Sequence, residues 1–274
     1  MEFFRSLETI IQIANPYEKI AKFRHFYQEY LHDRLIYDHQ HVPKIFQDPS
    51  YVSFCSIVDP REVPRRQRLG TREGRAVLLH AVAHIEYSAI DLALDAAYRY
   101  KGMPRSFYDD WLEVADDECR HFLMIDDLLK TLGYRYGHFP VHRGLFEAAK
   151  ASLELIDRMA VVPRYLEANG LDANPAIMTK LARFDDPFAK RMIEALEVIL
   201  DEEIDHVKKG DRWFRWACKK AGVEDVEEEY FKRVERVYPH MVQGRRSLNV
   251  EARRRAGFSC NEIRKLASGE VECR

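Results

Sequence analysis

Apolar residues in this chain recur at helical spacing over long stretches, and strand-like alternation is scarce, so the pattern predicts an all-α protein. Four long helical patterns occupy the middle. The first runs from about Thr71 to Tyr100, with Leu79, Val82, Ala83, Glu86, Ala89, Ile90, Ala93 and Ala97 on one stripe. Lys101-Gly102-Met103-Pro104 ends it, glycine supplying the C-cap and proline opening the next helix. The second pattern reaches about Leu132 and stops at Gly133, before a loop rich in Tyr, Gly, His and Pro (Tyr134 to Gly144). A third begins near Leu145 and is expected to be interrupted by Pro163 and by Asn169-Gly170. The fourth starts after Asp185-Asp186-Pro187 and continues to about Ala221, where Gly222 closes it.

The flanks read differently. Residues 1–70 hold one or two helices and then an irregular stretch through Pro60 and Pro64. Residues 223–274 are strongly charged, with a helix expected from Val226 to Val237 and a basic tail segment. Neither flank has the apolar content to fold alone. The sequence therefore predicts an N-terminal extension (1–70), a four-helix bundle (71–222) and a C-terminal extension (223–274), with both extensions wrapping the bundle as one compact domain.

Polar residues inside the apolar stripes carry the chemistry. Glu118-Cys119-Arg120-His121 and Glu203-Ile204-Asp205-His206 each place a carboxylate and an imidazole three residues apart, on one helix face and able to reach one metal. The first pair shares its stripe with Trp111, Val114, Ala115, Phe122, Ile125 and Leu128; the second shares its stripe with Leu196, Ile199, Val207 and Phe214. Burying such groups is costly unless each is paired or bound to a metal. A third copy, Glu29/His32, lies in the N-terminal region and reads as an exposed helix pair.

A bundle holding two metals needs one Glu from each of two helices and Glu-x-x-His from each of the other two. Glu86 is the acid on the first stripe. It lies 15 residues before Lys101, and Glu118 lies 14 after Pro104, so an antiparallel hairpin sets the two at one level. On the third helix Glu167 continues the stripe of Ala149, Leu153, Ile156 and Ala160. Glu154 instead sits on a polar face with Glu147 and Arg158, where an exposed pair with Arg158 accounts for it. The expected ligands are thus Glu86, Glu118, His121, Glu167, Glu203 and His206. Four carboxylates and two imidazoles balance two Fe(II) ions, or Mn(II), and offer no thiolate that would favour zinc. Cys119 reads as packing. His80 and His84 lie on a face rotated from Glu86 and read as packing or as hydrogen-bonding support for the ligands.

Composition narrows the class. A formal net charge of -2 gives no overall field toward nucleic acid or anionic membrane. Five scattered cysteines without a C-x-x-C pair argue against a disulfide framework and for a reducing compartment. No apolar run approaches a membrane span and the N-terminus does not read as a signal peptide, so the expectation is a cytoplasmic protein.

These segments also resemble a known family. HAVAHIEYSAIDLALDAAYRY (80–100), DDECRHF (116–122), VPRYLEANGLD (162–172) and DEEIDHVKKGDRWF (201–214) are similar to a mostly bacterial ferritin-like di-iron family, as are VPRRQRLGTREGRAVLLH (63–80) and NVEARRRAGFS (249–259). The resemblance covers nearly the whole chain and implies the same six ligands, with Glu167 again preferred to Glu154. Its members are often labelled by analogy with the di-iron hydroxylase that modifies tRNA. The leading expectation is an O2-dependent oxidoreductase acting on an organic substrate, with an electron-donating partner. Iron binding and oxidation without an organic substrate, and peroxide reduction, are the alternatives. An RNA partner would have to use two arginine clusters, Arg61/Arg65/Arg66/Arg68 and Arg245/Arg246/Arg253/Arg254/Arg255, and is not favoured. An oligomer is compatible with the sequence.

Overall fold

The computed structural model describes residues 1–239, 247–267 and 271–273. Among them every regular element is helical; two isolated bridges, Glu2 with Ile36 and Ile57 with Val141, are the only β-type pairings described. The chain divides into two compact units, Met1–Phe146 and Glu147–Arg274. The N-terminal extension therefore belongs with the first two long helices, and the C-terminal extension with the last two.

In the first unit, α1 (Phe3–Ile11) and α2 (Pro16–Leu31) precede a 3-10 turn (Ser50–Ser53) and the long pair α3 (Arg72–Arg99) and α4 (Arg105–Thr131). Asn15 caps α2 by accepting from Tyr17 and Glu18 N–H, with Pro16 set for the first turn. Thr71 caps α3, and Gly102 and Gly133 adopt the left-handed conformation that ends α3 and α4. A side chain at Gly74 would meet the carbonyl oxygens of Arg68 and Gln67, so this glycine lets the incoming loop lie against the start of α3. α1 contributes Phe3, Phe4 and Leu7 to an aromatic core with Phe26, Tyr30 and Tyr108. By length and composition α3 could cross a membrane, yet 78% of its most apolar window is buried within the protein. The apolar stretch is that of a core helix packed on both sides.

In the second unit the third helical pattern is more broken than its sequence suggested. α5 (Gly144–Ala151) straddles the boundary and ends at Ser152; α6 (Leu155–Val161) follows, then a π-helical turn (Val162–Glu167) and α7 (Ala168–Leu181). Pro163 does not stop the helix: lacking an N–H, it widens the turn to π spacing. Asn169-Gly170 lies inside α7 and does not interrupt it. α8 (Pro187–Lys220), capped by Asp186, runs as expected to the left-handed Gly222. A side chain at Gly210 would come within 2.3 Å of the Pro163 ring, so Gly210 is what allows α8 to lie against the π turn. α9 (Val226–Val237) matches its expected bounds. Two short helices were not anticipated, α10 (Val250–Arg255) and α11 (Cys260–Leu266), the latter opened by a capping box of Ser259 and Glu262.

The cysteine expectation needs correcting. Cys260 and Cys273 form a disulfide closing a 13-residue separation. Cys55, Cys119 and Cys218 are buried thiols, consistent with packing.

Candidate metal centre

Antiparallel α3 and α4 bring Glu86, Glu118 and His121 together inside the first unit. His121 Nδ1 lies 3.2 Å from Glu86 Oε2 and 3.5 Å from Glu118 Oε2. All three side chains are buried, at 4%, 0% and 0% exposure. The level set by counting from the hairpin is thus the level found. Two carboxylates held this close with burial resist ionising together: desolvation, then the neighbouring Glu118 charge, pushes the Glu86 carboxyl up. Burial pulls the His121 imidazole down, but the two carboxylates outweigh it and hold the ring protonated well above its ordinary range. A divalent cation would take the place of that proton and satisfy all three groups at once, so the donor set fits a metal.

In the second unit α8 carries the second pair. Glu203 and His206 are buried, with His206 Nδ1 3.9 Å from Glu203 Oε1, both turned to the same side of the helix. Glu86, Glu118, His121 and Glu203 are all buried donors of a kind that could hold a metal ion. Glu167 ends the π turn and is half-buried. Glu154 is exposed at the start of α6. The exposed Glu154–Arg158 pair expected from sequence needs correcting: Arg158 is buried and donates to the carbonyls of Ala149 and Ser152. The third Glu-x-x-His lies at the exposed end of α2, where Glu29 pairs with Arg34 and His32 contacts Gln28 O.

Four aspartates close to the ligands in sequence form ion pairs. Asp91 pairs with Lys19, Asp117 with Arg120, Asp201 with Arg255 and Asp205 with Lys209. His80 and His84 pin the 134–144 loop. His80 Nε2 accepts from Gly137 N–H at 2.9 Å, so its proton sits on Nδ1. His84 Nε2 donates to His142 O at 2.9 Å, and its Nδ1 accepts from Tyr136 Oη, also at 2.9 Å. Burial pushes the His80 imidazole down to about 3. In the unfolded chain the same ring titrates near 6.5. Between those values the unfolded state binds the extra proton, so this histidine's contribution to stability is present above the unfolded value and lost as pH falls. At pH 5 the loss is about 2 kcal/mol. Urea unfolding at pH 7 and pH 5 should show wild type losing about that much more stability than His80→Phe, which has no imidazole to protonate.

The arginine clusters also separate. Arg61, Arg65, Arg66 and Arg68 are exposed. Of the second cluster, Arg245 and Arg246 lie outside the described residues, Arg253 is buried against Asp172, and Arg255 pairs with Asp201. Sequence reasoning missed the buried ion pairs of the second unit. Arg164, fully buried, pairs with Asp211 and Glu262 and lies over the rings of Phe214, Tyr230 and Phe258. Partners 98 positions apart leave no local signal.

Known proteins are similar to this chain over nearly its whole length. A Haemophilus influenzae protein (strain ATCC 51907 / DSM 11121 / KW20 / Rd), described as "Uncharacterized protein", is 38% identical over 273 residues, covering 96% of this chain and 92% of its own. No solved structure matches. Residues 12–264 match the family described as "Protein of unknown function (DUF455)", and the chain belongs to that family.

Proposed function

We propose that this protein is a ferritin-like di-iron carboxylate oxidoreductase that uses O2 to hydroxylate or otherwise oxidise an organic substrate. In this reading Glu86, Glu118 and His121 of the first unit and Glu167, Glu203 and His206 of the second are the metal ligands, the set that a ferritin-like bundle supplies. The observation that carries it is the buried Glu86–Glu118–His121 cluster, matched on α8 by a second buried Glu-x-x-His. Such a set has no structural use for its charge, because an apolar core would be more stable without it.

Two iron ions would supply the electrons that reduce O2. The chain's own groups would set the conditions. Glu86 and Glu118 bring negative charge that favours the oxidised state, and His121 and His206 bind without neutralising further charge. The aromatic layer around the first half excludes water: Tyr87 and Tyr136 both pack against Phe122, at 5.6 and 5.3 Å between ring centres. An external electron donor would complete a turnover. RNA as the substrate draws little support from the described part of the second arginine cluster, where Arg253 is buried against Asp172 and Arg255 is paired with Asp201.

Loading with Fe(II) under nitrogen and then mixing with O2 tests the reading. The expected result is O2 uptake of about one molecule per two bound irons, faster than for Fe(II) in the same buffer. Oxidation at the rate of unbound Fe(II) would refute it.

A further inference from the structure

Side chains of the C-terminal segment donate to backbone carbonyls of the π turn that carries Glu167 and of α7 directly after it. In α register Arg164 O would receive the N–H of Ala168; here that N–H turns back to Pro163 O, five residues away. Tyr230 Oη donates to Arg164 O instead, at 3.1 Å. Leu171 O faces position 175, a proline with no N–H to give, and Asn249 Nδ2 supplies the bond at 3.3 Å. Arg253 Nη2 donates to Ala168 O at 3.2 Å while its guanidinium is paired with Asp172. Arg164 itself is tied to α11 through Glu262 at 2.8 Å. All of these donors and partners come from residues that follow α8.

A π turn matters for direction. Its extra residue rotates every later side chain by about 100° relative to an uninterrupted α-helix. Glu167 closes that turn, so its heading depends on the π register being kept. With prolines at 163 and 175 the helix has two fewer backbone N–H donors of its own on either side of Glu167. Side-chain donors from outside add to the bonds it makes itself.

We propose that Tyr230, Asn249 and Arg253 are positioning residues for Glu167: by donating to backbone carbonyls of the π turn and of the start of α7, on either side of Glu167, they hold its carboxylate where the metal needs it. This rests on the reading of Glu167 as a ligand. It gives the charged C-terminal extension a role in the centre, beyond covering the helices.

Co(II) binding to the full chain tests it, followed by calorimetry and by visible absorption of the bound ion. Tyr230→Phe removes one oxygen and keeps the ring; Arg253→Lys keeps the charge beside Asp172 but shortens the reach to Ala168 O. The expected result is a wild type that binds two Co(II) per chain. The double variant should bind one as before and the second about 10- to 100-fold more weakly, with a changed spectrum. Glu167→Gln should produce the same loss, and adding the double variant to it should change nothing further. Variants that melt earlier yet bind both ions with wild-type affinity and spectrum would overturn the proposal. So would losses that add fully to those of Glu167→Gln. A wild type that takes up no Co(II) would remove the metal reading itself, and this inference with it.

Discussion

Lys19→Met should lower the stability of the protein by about 3–5 kcal/mol, the largest loss expected from any single exchange outside the centre. The ammonium of Lys19 is completely buried. It donates to Ile11 O at 3.0 Å, to Ser50 Oγ at 2.8 Å and to the Asp91 carboxylate, and it lies 4.7 Å from the centre of the Tyr87 ring. Ser50 Oγ also donates to Asp91, at 2.5 Å, and Tyr87 Oη reaches the carbonyls of Ile13 and Ala14. One ammonium thus joins the α1–α2 junction, the 3-10 turn and α3. Burial already pushes Lys19 down and Asp91 up, and only their attraction keeps both charged. Without the lysine, Asp91 is a buried carboxylate short of its cation. Replacing both partners removes the problem, so Lys19→Met with Asp91→Leu should recover most of the loss. Urea unfolding of the two single variants and the double decides it. Equal stability of Lys19→Met and wild type would mean that the pair contributes nothing.

The second large effect has opposite signs with and without metal. Glu118→Gln keeps the side-chain volume but removes one of the two carboxylates of the first unit that lie within 3.5 Å of His121. In the metal-free cluster burial still raises Glu86, but the Glu118 charge that raises it further is gone. Metal-free Glu118→Gln should therefore melt no earlier than wild type. With metal at about 100 times its dissociation constant, wild type should gain about 2.7 kcal/mol, and the variant almost none. Calorimetric melts with and without Fe(II) under nitrogen show both halves. A variant that gains as much as wild type would place the metal elsewhere; one that melts much earlier without metal would make Glu118 a structural residue. Such an exchange of stability for binding is what a functional site leads one to expect.

The sequence made much of this legible because helices announce themselves locally. The starts near Thr71 and after Asp186 and the stops at Gly102, Gly133 and Gly222 set the bounds of the long elements to within a residue or two. Counting outward from Lys101–Pro104 was enough to pair Glu86 with Glu118, since rise per residue is constant along a helix. Where the reading failed, the deciding forces were not local. Pro163 looked like an interruption because nothing in its neighbourhood shows that Gly210, 47 positions later, leaves room for its ring. Arg158 and Arg253 looked exposed, as arginines in charged stretches usually are, and only the tertiary fold offers the carbonyls and carboxylates that bury them. The 134–144 loop gave no clue to its anchors, because His80 and His84 are 57 and 58 residues from the groups they hold. The Cys260–Cys273 link was equally hidden: spacing alone does not show which thiols meet.

Counting metal tests the central claim most directly. Purified protein loaded with excess Fe(II) under nitrogen, desalted and analysed for iron should hold about two ions per chain, a pair of sites being what the four Glu and two His would build. Glu118→Ala and Glu203→Ala, one from each unit, should each hold less than half of that. More than one iron lost from each variant, with the helical fold intact by circular dichroism, is the result the account predicts. No iron in the wild type, or iron unchanged in both variants, would contradict it and leave the buried glutamates and histidines as a structural cluster.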